Sequence, residues 1–188
     1  SEGAAWRNDP KTSGETFVLG DVGAHALHLA TFITRQQVLE VSADRQSFVK
    51  GRILEDNAHV LLRFEKGAAG YLWASGVAIG HRHGLAIRVF GNKAGIEWHQ
   101  ERPNQLLFST LGKTPQTLEL DSPELLPPAK RLLRVGAGHP EGYFEAFTNI
   151  YSDFAEVLLA KLSGKKPDLL SLDFPTLEDG AQGVKFIE

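Results

Sequence analysis

The chain has 188 residues, 42% of them hydrophobic and 23% charged, with a formal net charge of -3. This is ordinary globular composition, long enough for a sizeable core, and the scattered Lys and Arg exclude the basic face that nucleic-acid binding needs. The absence of cysteine excludes disulfides, thiolate metal sites and cysteine nucleophiles, and with no membrane span or signal segment in the pattern the expectation is a soluble, cytoplasmic protein.

In chain order, Trp6-Arg7-Asn8-Asp9-Pro10 reads as a polar turn carrying an aromatic ring. The segment from Gly20 to Ile33 then reads as a helix, ended by Thr34-Arg35. At 3.6 residues per turn, Asp21, His25 and His28 stand at i, i+4 and i+7 and project from one face. Leu27, Ala30 and Ile33 supply an apolar stripe to pack it. An acid beside an imidazole at this spacing is a unit for proton transfer, because the carboxylate orients the ring and stabilises its charged form. The same trio has the composition of a metal-ligand set. Structural alternatives stand beside both readings: Asp21 as a helix N-cap and His28 as a boundary histidine satisfied by the backbone.

The period then changes. Val38 to Val49, Ala58 to Phe64, Gly70 to Ile79, Leu85 to Phe90, Ile96 to Gln100, Leu106 to Thr110 and Thr117 to Leu120 are short β-prone runs separated by turn residues such as Lys66-Gly67 and Gly91-Asn92-Lys93. Loops this short force antiparallel neighbours, because a parallel crossover needs a dozen or more residues. After a Pro-containing excursion from Ser122 to Pro128, the run from Gly142 to Leu162 places Phe144, Phe147, Tyr151, Phe154, Leu158 and Leu162 at spacings of three and four. It reads as a helix stopped by Ser163-Gly164, its aromatic stripe forming core. The expected fold is α+β: an extended, predominantly antiparallel or mixed sheet with helices packed on one face. Tyr71, Trp73 and Ser75 alternate with Leu72, Ala74 and Gly76. The sheet face left uncovered by helices is therefore expected to carry an apolar patch that closes a homodimer or a higher closed oligomer.

Among the remaining histidines, His81 and His83 read as an exposed turn, and His59 and His99 as cross-strand surface residues. His139 precedes Pro140-Glu141-Gly142-Tyr143 at a helix start, where loops line pockets, so His139 and Tyr143 are candidate ligand-binding residues.

Trp6-Arg7 followed by Gly20-Asp21-Val22-Gly23-Ala24-His25 resembles the opening of the second domain of the Gfo/Idh/MocA oxidoreductases. Three later segments match the same family in order: Glu55-Asp56-Asn57, Ala137-Gly138-His139-Pro140-Glu141-Gly142-Tyr143 and Asp173-Phe174-Pro175-Thr176-Leu177-Glu178-Asp179-Gly180. The resemblance runs across nearly the whole chain. It implies a C-terminal substrate-binding and oligomerisation domain spanning 1–188, whose partners are a small-molecule substrate and an N-terminal Rossmann domain that binds NAD or NADP. No G-x-G-x-x-G fingerprint occurs here, and a chain without methionine that begins at Ser1 is expected to be part of a longer protein. The resemblance further implies dehydrogenation of a sugar, polyol or related hydroxyl compound, with His25 as acid/base, Asp21 as its partner and a lysine of the nucleotide domain as third member. Trp6, Arg7, His28, His139 and Tyr143 become substrate-binding candidates, His28 standing where relatives commonly carry a carboxylate or amide. No metal is expected in that reading, and the fragment alone is expected to be inactive. A metal-dependent hydrolase or isomerase using Asp21, His25 and His28, or a noncatalytic dimerisation domain, are the rival readings.

Overall fold

Alternation with a period of two gives two neighbouring strands of the first sheet a buried and an open face. β1 (Val38–Gln46), β2 (Asn57–Phe64) and β3 (Ala69–Ser75) pair antiparallel in that order. Ala58, Val60, Leu62 and Phe64 of β2, with Leu72 and Ala74 of β3, are buried. On the outer face the register sets His59 against Trp73 and Leu61 against Tyr71. Tyr71 is 58% and Trp73 54% exposed, as the alternation implied.

The computed structural model describes residues 6–136 and 138–188. It separates into two compact units, Ser1–His83 with Leu177–Glu188, and Gly84–Thr176. In the first, residues 6–8 form a 3-10 turn. They lead into the short α1 (Pro10–Ser13), whose first turn is capped by the Asp9 carboxylate accepting the Lys11 N–H at 3.0 Å. A π turn over Leu19–Gly23 runs into α2 (Ala24–Thr34), and Arg35 ends that helix in the left-handed region. Val18, Leu19 and Leu27 pack on the inner face of the sheet, joined by Phe186 and Ile187 from α5 (Leu177–Ile187). Helices thus cover one face of this sheet, as expected.

The loop between β1 and β2 is organised by Asp56, which is fully buried. Its carboxylate accepts the backbone N–H groups of Phe48 and Val49, at 2.9 and 3.0 Å, and pairs with Arg52 at 3.1 Å. Those bonds draw Phe48 and Val49 out of the ladder, and so β1 ends at Gln46 instead of continuing to Val49.

The second unit contains β4 (Ala86–Phe90), β5 (Ala94–His99), β6 (Gln105–Thr110) and β7 (Gln116–Glu119), again antiparallel in chain order. All seven expected strands are present; they pair as sheets of three and four, and every recorded pairing is antiparallel. α3 (Pro127–Lys130) and α4 (Tyr143–Leu162) follow, then a 3-10 turn over Leu169–Leu172. Arg131 grips the buried Asp153 of α4 through both terminal nitrogens and reaches Ser171 at 3.4 Å. The Arg131 pKa is raised, first through the hydrogen bond it donates to Asp153. The reading of the α4 aromatic stripe as core is corrected: Phe144, Tyr151, Phe154 and Leu162 are 79%, 68%, 54% and 76% exposed. Helical spacing fixes which way these rings point, but among the described residues little comes to cover them beyond Phe174, whose ring meets Phe154 edge-on at 6.2 Å.

Burial resists ionisation of Asp56, but the two backbone N–H groups and Arg52 outweigh it and hold its pKa below the ordinary aspartate value. Its contribution to stability is therefore complete above about pH 4, the unfolded value, and is lost as pH falls through the lower folded value. Urea unfolding between pH 5 and pH 2 should show that acid-side loss. Asp56→Ala, which strands two N–H groups and a guanidinium, should remove about 3 kcal/mol at neutral pH and flatten the acid limb.

Candidate functional site

The first unit's candidate site grows from the junction of the π turn and α2. The Ala24 N–H reaches back to the Leu19 carbonyl, five residues earlier, so the turn holds one more residue than an α turn does. Such single π turns inside helices recur at functional sites because they re-aim side chains. Two glycines make this one fit: a Cβ on Gly20 would stand 2.9 Å from Thr16 Oγ1, and one on Gly23 would stand 3.1 Å from Leu19 Cδ2 and 3.7 Å from Ala74 Cβ.

Asp21 lies inside this turn, so its N-cap reading is corrected. Its own N–H is bonded to the Phe17 carbonyl at 2.9 Å, and the helix has already begun. The Asp21 carboxylate instead faces Arg7 Nη2 at 3.6 Å, with both side chains substantially exposed. Arg7 in turn lies over the Trp6 ring, 5.4 Å from its centroid. Trp6, Arg7 and Asp21 are thereby brought together. His25, one helical turn on, is open to solvent, and among the described residues no hydrogen bond joins it to Asp21.

His28 goes elsewhere. It lines a groove of about 210 Å³ with Thr31, Val38, Val41, Asp179 and Phe186, between α2, β1 and α5, and its ring lies 6.3 Å from that of Phe32. The shared face expected for Asp21, His25 and His28 is therefore not a converging triad, and among the described residues no three His, Cys, Asp or Glu side chains gather closely enough to hold a metal ion.

His139 and Tyr143 belong to the second unit. The His139 ring donates from Nδ1 to the Gly136 carbonyl at 3.1 Å. It lines a cavity of about 730 Å³ together with Arg102, Asn104, Glu119, Asp121 and Pro140. Tyr143 opens α4, is 71% exposed and packs its ring 4.7 Å from that of Phe147. The preceding loop is fastened by Glu141, whose carboxylate accepts the N–H groups of Arg134 and Val135, and the helix start by Glu145, which accepts the Gly142 N–H at 2.8 Å. That backbone bond, first among the causes, holds the Glu145 pKa low. Ala137, the first residue of the motif around His139, lies outside the described residues.

Sequence reasoning passed over the residue that ties the helix start down. Glu55 is 4% exposed, and one of its oxygens accepts the Phe17 and Leu19 N–H groups at 3.0 and 3.1 Å. Its position beside Asp56 at the head of a strand was visible, but a partner 36 to 38 residues away was not.

The Arg7–Asp21 pair is solvent-exposed and longer than a close ion pair, so it contributes little to folding. Arg7→Ala should change unfolding stability by less than about 1 kcal/mol, and 0.5 M salt should erase what difference there is; chemical denaturation at low and high salt checks both.

The GFO/IDH/MocA C-terminal domain family matches residues 1–97. An uncharacterised oxidoreductase, YfiI, of Bacillus subtilis (strain 168) is 40% identical over 185 residues, covering 97% of this chain and 47% of the relative. The crystal structure of an inositol dehydrogenase homolog complexed with NAD+ from Azotobacter vinelandii superposes with a TM-score of 0.90 at 42% identity, over all of this chain and 49% of that one. The structure of an inositol dehydrogenase homolog from the same organism with NADH and myo-inositol gives 0.85 at 40% identity, over all of this chain and 48% of that one. The chain thus spans about half the length of these relatives. By the matched residues and the shared fold, it belongs to the GFO/IDH/MocA C-terminal domain family.

Proposed function

We propose that this chain is the substrate-binding and acid–base half of an NAD-dependent oxidoreductase acting on a sugar, polyol or related hydroxyl compound. The observation that carries the reading is the placement of Asp21, on a π turn and facing Arg7, one turn before the solvent-open His25 of α2. The relatives solved with NAD+ and with NADH and myo-inositol support the choice of cofactor and substrate class.

The described residues do not build a dinucleotide cradle. The recorded strand pairings are antiparallel, and the sequence has no glycine fingerprint passing from a strand into a helix. The dinucleotide is assigned to an N-terminal Rossmann domain of the longer protein, where it supplies the hydride acceptor. The residues of this chain handle the hydroxyl. His25 takes the hydroxyl proton on oxidation and returns it on reduction, Asp21 orients the imidazole, and Arg7 and Trp6 hold the polyol against the site. His28, His139 and Tyr143 are assigned to substrate binding, the first in the α2–α5 groove and the second in the cavity of its own unit. The protein is assigned to the cytoplasm as a homodimer or larger closed oligomer that covers the outer sheet face around Leu61, Tyr71 and Trp73.

In the full-length protein, with NAD+ and a polyol panel that includes myo-inositol, His25→Ala should lower kcat about 10²-fold or more while leaving the unfolding transition in place. An unchanged rate would remove His25 from the chemistry. The isolated chain should fold yet take up no NAD+ or NADP+ in calorimetry, and tight uptake by these residues alone would overturn the assignment of the dinucleotide to another domain. Light scattering at micromolar concentration should report a dimer or larger closed oligomer, and Trp73→Glu should move it toward monomer; a monomeric parent would refute the sheet-face interface.

A further inference from the structure

Glu55 is a buried carboxylate that the proposed acid–base chemistry does not touch. Its Oε1 accepts the N–H groups of Phe17 and Leu19, its Oε2 pairs with Arg45 at 3.0 Å, and its backbone carbonyl accepts the Val18 N–H at 3.4 Å. Arg45 is itself anchored to the Glu15 carbonyl at 2.8 Å. Three successive backbone N–H groups at the helix start, which no intrahelical carbonyl can satisfy, therefore find their acceptors on one residue of another segment.

These bonds run directly to the site. Phe17, whose N–H Glu55 holds, receives the Asp21 N–H on its own carbonyl. Leu19, held by the same oxygen, offers the carbonyl that closes the π turn on Ala24. Gly20 fits the same turn, since a Cβ there would stand 2.9 Å from Thr16 Oγ1. From this geometry we infer that Glu55 is a positioning residue: by clamping the backbone of Phe17 and Leu19 it selects the π turn and so sets the direction in which Asp21 and His25 project. The inference rests on the acid–base reading of those two residues. An ångström of misplacement at a proton-transfer pair is enough to cost a large rate factor while leaving binding nearly intact.

The test uses the full-length protein with two independent readouts: steady-state kinetics with NAD+ and a turned-over polyol, normalised to folded protein, and amide hydrogen exchange at Phe17, Leu19 and Asp21. Glu55→Ala should lower kcat by about tenfold or more with KM held within about twofold, and speed exchange of those three amides by about tenfold. Glu55→Gln keeps an oxygen for both N–H groups and should recover most of kcat, even though loss of the Arg45 pair lowers its melting temperature. Full kcat per folded molecule in Glu55→Ala, or unchanged exchange, would reduce Glu55 to a stability residue and overturn the inference. Where Glu55→Ala does not fold, Glu55→Asp carries the test, because its carboxylate is one methylene shorter and cannot hold both N–H groups at their present distances: the same kcat loss and faster exchange are expected, and wild-type kcat with wild-type exchange would overturn the inference. If the wild-type protein turns over no polyol, the acid–base reading fails by itself, and the exchange measurement alone decides whether Glu55 holds the turn.

Discussion

Two carboxylates in succession, Glu55 and Asp56, lie almost wholly out of water, and a buried charge has to be fully bonded or it destabilises everything around it. The two stand just before β2 and fasten separate pieces of chain. Glu55 takes the N–H groups of Phe17 and Leu19 where the chain enters the π turn before α2; Asp56 takes those of Phe48 and Val49 in the loop after β1. Each is completed by one arginine, Arg45 or Arg52. A charged acceptor makes a stronger bond to an amide than a neutral one, and here four such bonds fix the two irregular backbone segments that no helix or ladder would otherwise hold.

What was legible in the sequence follows from what is local. The long helix of the second unit begins at Tyr143 behind Gly142 and stops at Ser163, with Gly164 in the left-handed region, because each of those signals acts within a turn of its own position. The strands were readable for the same reason: alternation sorts Leu72 and Ala74 inward from Tyr71 and Trp73 without reference to anything distant. The π turn was not readable. The spacing of Asp21, His25 and His28 is that of a uniform α-helix, and nothing in a residue list announces the inserted residue; the turn is bonded by Glu55 and fits because Gly20 and Gly23 carry no Cβ. The aromatic stripe of α4 failed differently. Period 3.6 states which residues share a face, and Phe144 through Leu162 do share one, but burial depends on a second surface that the period cannot describe.

The site likewise divided between local and distant causes. Acid and imidazole one turn apart could be read directly from Asp21 and His25, and so could the aromatic–cation turn at Trp6-Arg7, where the guanidinium does rest on the indole. That Arg7 would meet Asp21 could not be read, since their meeting depends on α1 folding the chain back. His28 fell outside the constellation because α5, more than 140 residues later, supplies the groove it enters.

Burial sorts the acids of the first unit by the work each can do. Glu55 and Asp56 are sealed, with every recorded bond directed at backbone or arginine, and a group held that way cannot change partners during a reaction. Asp21 is the opposite case. Its ion pair with Arg7 is half open to water and stretched to 3.6 Å, so solvent screening leaves little holding the two together. A carboxylate so lightly held can turn to an imidazole or a substrate hydroxyl at small cost, while its backbone stays fixed because the sealed acid holds Phe17, and Phe17 holds Asp21. Rigidity in the main chain and freedom in the side chain are then supplied by two different carboxylates, which is what the acid–base role proposed for Asp21 and His25 needs: atoms that move little in position but can exchange hydrogen-bond partners.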